Sequence, residues 1–489
     1  MKIKNIFWSF LIFGTVFLLC CKKGGSEPMP DPITPDPVLP KITIAIDKST
    51  KYQTIEGFGF FGGADVWWAG AGSVWNDAWG EKVISDLGIT IWRNELFPPS
   101  IPGANQDADW VKQKPVVQGL KAKADKYKVN LKFIATVWSP PANLKWLCNF
   151  TWAGDENATR QAGNVSTKNG GTLNPNKYNE YADWLKSHLQ MYNDAGVDLY
   201  ALSLQNELMF KQTFNSCTYT IPWYNDLLVN VVPKVKAGFP NVKIFGAENM
   251  LDMEGKDENW QWFYHSGVKA NAEAAKNLDI LAVHGYSDGV AASSGSALAK
   301  MWTNHKEQFS TPMNKQAWMT ETSGYSDSWE KSGDKPGALN LAMDMHSGLY
   351  YGNMSAWVWW QGSQGTMDEF SLMSGTTTGK KYSISKQFYR YIRPGSVRVK
   401  STTADPDFFV TAYENQAKGT NTIVIINAGS ADKAVSLTGD GLPTTFKMYR
   451  TNSSTENCTY IKDVISGGTN SFAVPAKSIV TLQAGGDAL

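Results

Sequence analysis

Between residues 54 and 360, short apolar runs alternate eight times with longer segments of helical spacing. The candidate strands are 54–62, 89–96, 131–138, 199–205, 242–247, 280–286, 317–321 and 356–360. Several are apolar on both faces, as strands covered on each side of a parallel sheet must be. The segments between them repeat apolar residues at three and four positions, most clearly over 178–193, which predicts a helix there. Eight strands alternating with helices predict a (β/α)8 TIM barrel, with a doubly wound open sheet as the structural alternative.

From about residue 383 the pattern changes. Short β-rich runs at 408–413, 422–426, 446–449 and 478–482 are punctuated by Gly, Asn, Asp and Pro. Such spacing predicts a β-sandwich. The run 42–46 alternates in the same way before the barrel begins, so it is expected to pair with the C-terminal sheet. The expected division is therefore 41–52 as an N-terminal strand of the sandwich, 53–382 as the catalytic barrel and 383–489 as the C-terminal β-sandwich. No internal repeat is present.

The first residues point to export. Lys2 and Lys4 precede an apolar stretch from Ile6 to Leu19 that is shorter than a spanning helix and resembles a secretory signal. The cysteine pair at its end resembles a lipoprotein box with Cys21 as the lipidated residue, so 1–21 is expected to be a lipoprotein-type signal. Residues 22–40 are proline-rich and read as a tether. These features predict anchorage in a bacterial cell envelope, with membrane contact only through the lipid. The 46 basic and 45 acidic residues leave no net basic surface, which argues against nucleic acid as a partner. A monomer is the expected state.

Five cysteines are too few for a disulfide scaffold, although a Cys148–Cys217 bridge would be allowed in an oxidising compartment. The five histidines show no paired ligand spacing, so no metal site is expected. No glycine-rich phosphate loop or dinucleotide fingerprint is present, and no cofactor is expected. The unusual number is 20 tryptophans, more than core packing normally uses, and stacking on sugar rings is one use for them.

A barrel places its chemistry at the C-terminal ends of its strands. Four of those ends carry a glutamate: Asn94-Glu95, Asn206-Glu207, Glu248-Asn249 and Glu321. Hydrolysis of a glycosidic bond with retention needs two carboxyls about 5 Å apart, one protonated and one ionised. Glu207 and Glu321 end the fourth and seventh strands and can face one another across the mouth. Glu95 and Glu248 are alternative partners. A lone strand-end glutamate is otherwise a salt bridge or a helix cap.

Seven stretches, in order along the chain, resemble glycoside hydrolase family 30. They are Gln53-Thr-Ile-Glu-Gly-Phe-Gly59, Trp138-Ser-Pro-Pro141, Asp198 to Glu207, Trp318-Met-Thr-Glu321, Trp357-Val-Trp-Trp360, Phe388 to Gly395 and Pro475 to Ser478. The resemblance implies a barrel with a side β-sandwich built from both chain ends. It implies Glu207 as general acid/base and Glu321 as nucleophile, with Asn206 bonding the sugar 2-hydroxyl and Arg93 keeping the nucleophile ionised. Trp138 and Trp360 match residues lining the site, with core packing as the competing reading. His284 and Tyr286 end the sixth strand where they can orient Glu321 or touch sugar. Trp67, Trp68, Trp75 and Trp79 form either a sugar platform or a local aromatic cluster. Trp146, Trp318 and Trp359 also fall at strand ends or in the following loops.

Within the family, the local likeness is strongest to bacterial endo-xylanases, through Gly196 to Tyr200 and Gly352 to Trp360. Glucuronoxylan-specific members carry an arginine after the eighth strand; here Gln361-Gly-Ser-Gln-Gly365 has no cation. The expected activity is therefore a retaining endo-acting β-glycoside hydrolase on β-1,4-xylan, without dependence on glucuronate. The alternatives are a β-1,6-glucanase, a β-1,6-galactanase, a glucosylceramidase-like β-glucosidase, or a glycan-binding lipoprotein without turnover. Leu208 follows Glu207 where the family commonly has proline, which alters the loop without removing the acid.

Overall fold

Eight parallel strands close into a barrel: Gly57–Phe61, Ile91–Leu96, Lys132–Val137, Leu199–Ser203, Lys243–Met250, Ile280–His284, Gln316–Glu321 and Met354–Trp359. The eighth pairs with the first from Ala356 opposite Gly57 to Trp359 opposite Phe60, so the ring leaves no free edge. The structure is a computed structural model that describes residues 38–62, 75–98, 107–163, 165–255, 263–286, 289–486 and 489. The expected signal segment, most of the tether, Trp67 and Trp68 lie outside the described residues.

Side-chain alternation fills the ring. Ile91, Ile134, Ala201, Phe245, Ile280, Ala282, Trp318, Ala356 and Val358 form one buried cluster inside it. The first strand adds glycine to this layer for a steric reason. A Cβ on Gly59 would fall 1.8 Å from the Ile91 carbonyl oxygen of the neighbouring strand. Trp318 belongs to this interior layer, stacked on Tyr200, and so does not meet substrate as its place near a strand end implied. It stands three residues before Glu321 and is buried well below the mouth.

The helices cover the outer wall. Tyr178–Asp194 buries Tyr181, Ala182, Trp184, Leu185, His188, Leu189 and Tyr192, the stripe its periodicity predicts. Trp79 lies edge-on to Phe60 and Trp92, with ring centres 6.2 and 5.8 Å away, and Trp75 packs on Trp79. These two tryptophans form the local aromatic cluster, not a sugar platform, because their rings turn to the outside of the first two strands. Trp359 is buried, and its ring N–H bonds the Phe370 carbonyl. Trp146 stands half-buried in a small three-stranded sheet inserted after the third barrel strand.

The lower, N-terminal end of the barrel is closed by polar groups. Glu56 pairs with Lys132, accepts from Gln316 at 2.9 Å and from the Tyr200 hydroxyl at 2.9 Å. Lys243 donates to the same tyrosine oxygen at 2.7 Å.

A nine-stranded sheet folds into the sandwich. Lys41–Thr54 lies within it, antiparallel to Val397–Thr403 and parallel to Lys433–Thr438. Strand Thr420–Asn427 is apolar on both faces because each has a core to fill. Ile423 and Ile425 join the sandwich interior, whereas Val424 and Ile426 join the core that continues into the barrel. Helix Lys380–Tyr389 runs through position 382 and packs between the barrel and the sandwich, whose C-terminal strands start at Val397. Cys148, Cys217 and Cys458 are free. The Cys148–Cys217 bridge that an oxidising compartment would allow is not formed: Cys148 faces the Thr218 hydroxyl at 3.6 Å, while Cys217 turns to Tyr219.

Candidate active site

The inward face that carries Ile91, Ile134 and Ala282 in the middle of the barrel carries Arg93, Thr136 and His284 two residues further along. Strand alternation thus exchanges an apolar layer for a polar one just below the mouth. Arg93 is fully buried and uses its whole guanidinium. Nε donates to Thr136 at 3.1 Å, and one terminal nitrogen donates to Asn206 at 3.0 Å and to Glu248 at 2.9 Å. The other terminal nitrogen donates to Oε2 of Glu321. Burial works against its charge, yet the Glu248 and Glu321 carboxylates hold it above its ordinary pKa. A planar, permanently charged fork is the one side chain that can join these groups at once.

Glu321 ends the seventh strand. Its second oxygen accepts from the Tyr286 hydroxyl at 2.6 Å, so each oxygen receives a donor. Glu207 follows the fourth strand and has φ of 43°, a left-handed conformation uncommon away from glycine and typical of functional positions. Two bonds fix this turn to the third strand: the Asn206 N–H donates to Val137 O and the Gln205 amide to Trp138 O, each at 2.8 Å. Oε1 of Glu207 lies 3.1 Å from His284 Nδ1, and Oε2 accepts from Gln212 at 2.8 Å. Burial pushes the Glu207 carboxyl above the usual range, and the Glu321 charge adds to this against the opposing pull of His284.

His284 sits beneath both glutamates, 3.8 Å from Glu321 and 3.6 Å from Glu248. Burial disfavours its charge, but Glu321 and contacts with Glu207 and Glu248 push it up to about 9. The cluster therefore sets the carboxyls of Glu207, Glu248 and Glu321 against the cations Arg93 and His284. Three carboxyls thus face two cationic side chains, and Glu207 is the one whose surroundings favour the protonated form. Burial raises the opposing titration of Tyr286 well above its ordinary value, so it remains a donor.

A donor atom from each of Glu207, His284 and Glu321 lies within 4.8 Å of the others. This triangle is a poor metal site. The Arg93 guanidinium already occupies the cationic place beside Glu321. Carboxyl oxygens brought this near to one another are compatible with a retaining pair, whose carboxyls stand about 5–5.5 Å apart.

Above this layer opens a cleft of about 600 Å³. Trp138, Asn206, Glu207, Tyr286, Glu321 and Trp360 all line it, while Arg93 and His284 support its floor. Phe61 stacks on Trp360 with ring centres 4.3 Å apart and meets Trp138 edge-on, and Arg93 lies 4.9 Å from the Trp138 ring centre. Glu95 is tied to Asn215 at 3.2 Å, and Glu248 is buried against Arg93; neither lines the cleft. Sequence reasoning missed Gln212, Phe210, Phe214, Met250 and Phe370 in the lining. The four loop residues among them carry no periodic signal, so only the folded loops identify them, and Met250 ends the fifth strand. Gln361 and Gln364 line the cleft after the eighth strand, and no cation lines it among the described residues.

Known proteins carry the same two domains. Residues 106–368 match the model of the glycosyl hydrolase family 30 TIM-barrel domain, and residues 395–482 that of the family's beta sandwich domain. The glucuronoxylanase XynC of Bacillus subtilis (strain 168) is 26% identical over 360 residues, spanning 71% of this chain and 72% of that protein. A GH30 endoxylanase from Clostridium papyrosolvens C71 shares the fold with a TM-score of 0.69 at 23% identity, over 91% of this chain and all of that one. An endo-beta1,6-glucanase shares it with a TM-score of 0.66 at 18% identity, over 91% of this chain and 94% of that one.

Proposed function

The chain belongs to glycosyl hydrolase family 30 and is a glycoside hydrolase, and we propose that it cleaves β-1,4-xylan internally, with retention and without need of a glucuronate substituent. The observation that carries the mechanism is the Glu207–Glu321 pair, with one carboxyl held by Arg93 and Tyr286 and the other buried beside His284. Glu321 attacks the anomeric carbon while Glu207 gives its proton to the departing oxygen. Glu207, now ionised, takes a proton from water, which attacks the anomeric carbon and frees Glu321. Asn206, held by Arg93, bonds the sugar 2-hydroxyl as positive charge develops at the ring. Trp138 and Trp360 form the walls against which that sugar lies.

The xylan assignment is supported by the likeness to xylanases, and independence from glucuronate by Gln361 and Gln364 in place of a cation. Purified protein is to be compared on arabinoxylan, glucuronoxylan, β-1,6-glucan and β-1,6-galactan by release of soluble chains. Comparable rates on the two xylans are expected. Cleavage of glucuronoxylan alone would overturn independence from the uronate, and cleavage of β-1,6-glucan alone would move the substrate to that polymer. Lipid attachment at Cys21 belongs to the same proposal, and fatty-acid labelling that survives Cys21→Ser would refute it.

A further inference from the structure

Gln212 has two polar ends, and they have different fates. Its side chain is 7% exposed yet lines the cleft. The amide nitrogen donates to Oε2 of Glu207 at 2.8 Å, while His284 contacts Oε1 at 3.1 Å. The carboxyl is thus held at both oxygens and cannot turn freely. The amide oxygen has no hydrogen-bond partner among the described residues. The amide thus stands with its nitrogen on the glutamate and its oxygen turned away from it. A buried carbonyl oxygen left without a donor is costly, and such groups in folded proteins call for an explanation.

The loop around Gln212 is built to hold it still. Its N–H donates to the Ser216 hydroxyl at 3.1 Å and its carbonyl accepts from the Asn169 N–H at 2.7 Å. Lys145 then cross-links three loop segments, donating to Ser139 Oγ at 3.0 Å, Ser166 O at 3.0 Å and Ser216 O at 2.7 Å. A buried ammonium spent on this frame leaves the glutamine side chain little freedom to find another partner.

We propose that Gln212 is a positioning residue that fixes the Glu207 carboxyl for proton transfer to the departing oxygen, holding Oε2 while His284 holds Oε1. This rests on the assignment of Glu207 as acid/base. The test compares two substrates: an oligosaccharide of the glycan the wild type cleaves, and a dinitrophenyl glycoside with the same glycone. The second has no departing sugar and needs almost no protonation. Gln212→Leu is expected to lower kcat/KM on the oligosaccharide by roughly 10- to 100-fold and to change it by under about threefold on the dinitrophenyl glycoside. Equal losses on both would mean a merely structural role and overturn the proposal.

Gln212→Glu supplies a second reading that does not depend on lost contacts. A second carboxyl against Glu207 disfavours its ionisation, so the alkaline limb of the oligosaccharide profile is expected to move to higher pH. An unmoved limb overturns the positioning role. Glu207→Ala separates this from failure of the underlying assignment. It is expected to lose oligosaccharide turnover and to regain dinitrophenyl glycoside turnover with azide. If it keeps oligosaccharide turnover and ignores azide, the acid/base assignment falls and the Gln212 proposal falls with it.

Discussion

The barrel holds a charged cluster at each end, and the two follow opposite rules. At the lower end, Glu56 has Lys132, Gln316 and Tyr200 around it, with Lys243 behind the tyrosine. One carboxylate meets two cations, and both its oxygens are occupied. Burial opposes its charge, but Lys132 and the surrounding donors bring Glu56 down to about 2. At the upper end three carboxyls meet two cations. Glu248 Oε2, His284 Nε2 and Gln212 Oε1 there have no hydrogen-bond partner among the described residues. A cluster that only holds strands together satisfies every group it buries. A cluster suited to chemistry leaves a surplus carboxyl able to keep its proton, and leaves buried polar atoms without partners.

The largest expected break in this comparison is Glu321→Gln, which keeps the shape and removes the attacking charge. Turnover should fall on the order of 10⁴- to 10⁶-fold, which steady-state kinetics checks. Arg93→Lys comes next. It keeps the charge but loses the fork that reaches Thr136, Asn206, Glu248 and Glu321, so kcat should drop roughly 100-fold or more and thermal stability should fall as well.

The lower cluster should answer in the other currency. Glu56→Gln is expected to cost about 2 kcal/mol in urea unfolding, less than a fully buried pair because Lys132 and Glu56 keep 10% and 16% exposure, with kcat within about twofold. The pH sign is fixed by the lowered pKa. The pair's contribution is present above the ordinary value of 4.5 and is lost as pH falls towards 2, and Glu56→Gln should remove that acid-side slope.

The smallest effect sharpens the charge count. With Glu207 as the proposed acid, activity requires its protonated form, so the alkaline limb of kcat/KM should follow that residue, raised by its burial and by Glu321. Glu248→Gln removes one negative charge from the upper cluster, so Glu207 ionises more readily and the limb should move to lower pH in a pH–rate profile. A limb that moves up instead would mean the surplus proton resides elsewhere.

The sequence showed the upper cluster better than the lower one. Strand alternation marks which positions point inward, and the barrel rule marks which end matters, so Glu207, Glu321, Arg93 and His284 could be named before any coordinates. Their division of roles came from family resemblance, since four strand ends carry glutamates of equal standing. Glu56 sits in a stretch that carries the resemblance, yet nothing in its spacing says that it closes the bottom of the barrel. Trp318 was misplaced because it stands three residues before Glu321, close along the chain but a layer deeper in the barrel. Gln212 was invisible for a different reason. Its place depends on a loop held by Lys145 from a distant segment, and such contacts leave no local pattern.

The central claim is that Glu321 forms the covalent bond while Glu207 moves the proton. Trapping with a 2-deoxy-2-fluoro glycoside of the cleaved glycan, followed by peptide mass spectrometry, tests it directly. The account predicts one sugar per chain, attached to Glu321. A label on Glu207 or Glu248 would contradict it, as would steady turnover of the reagent with no labelled peptide.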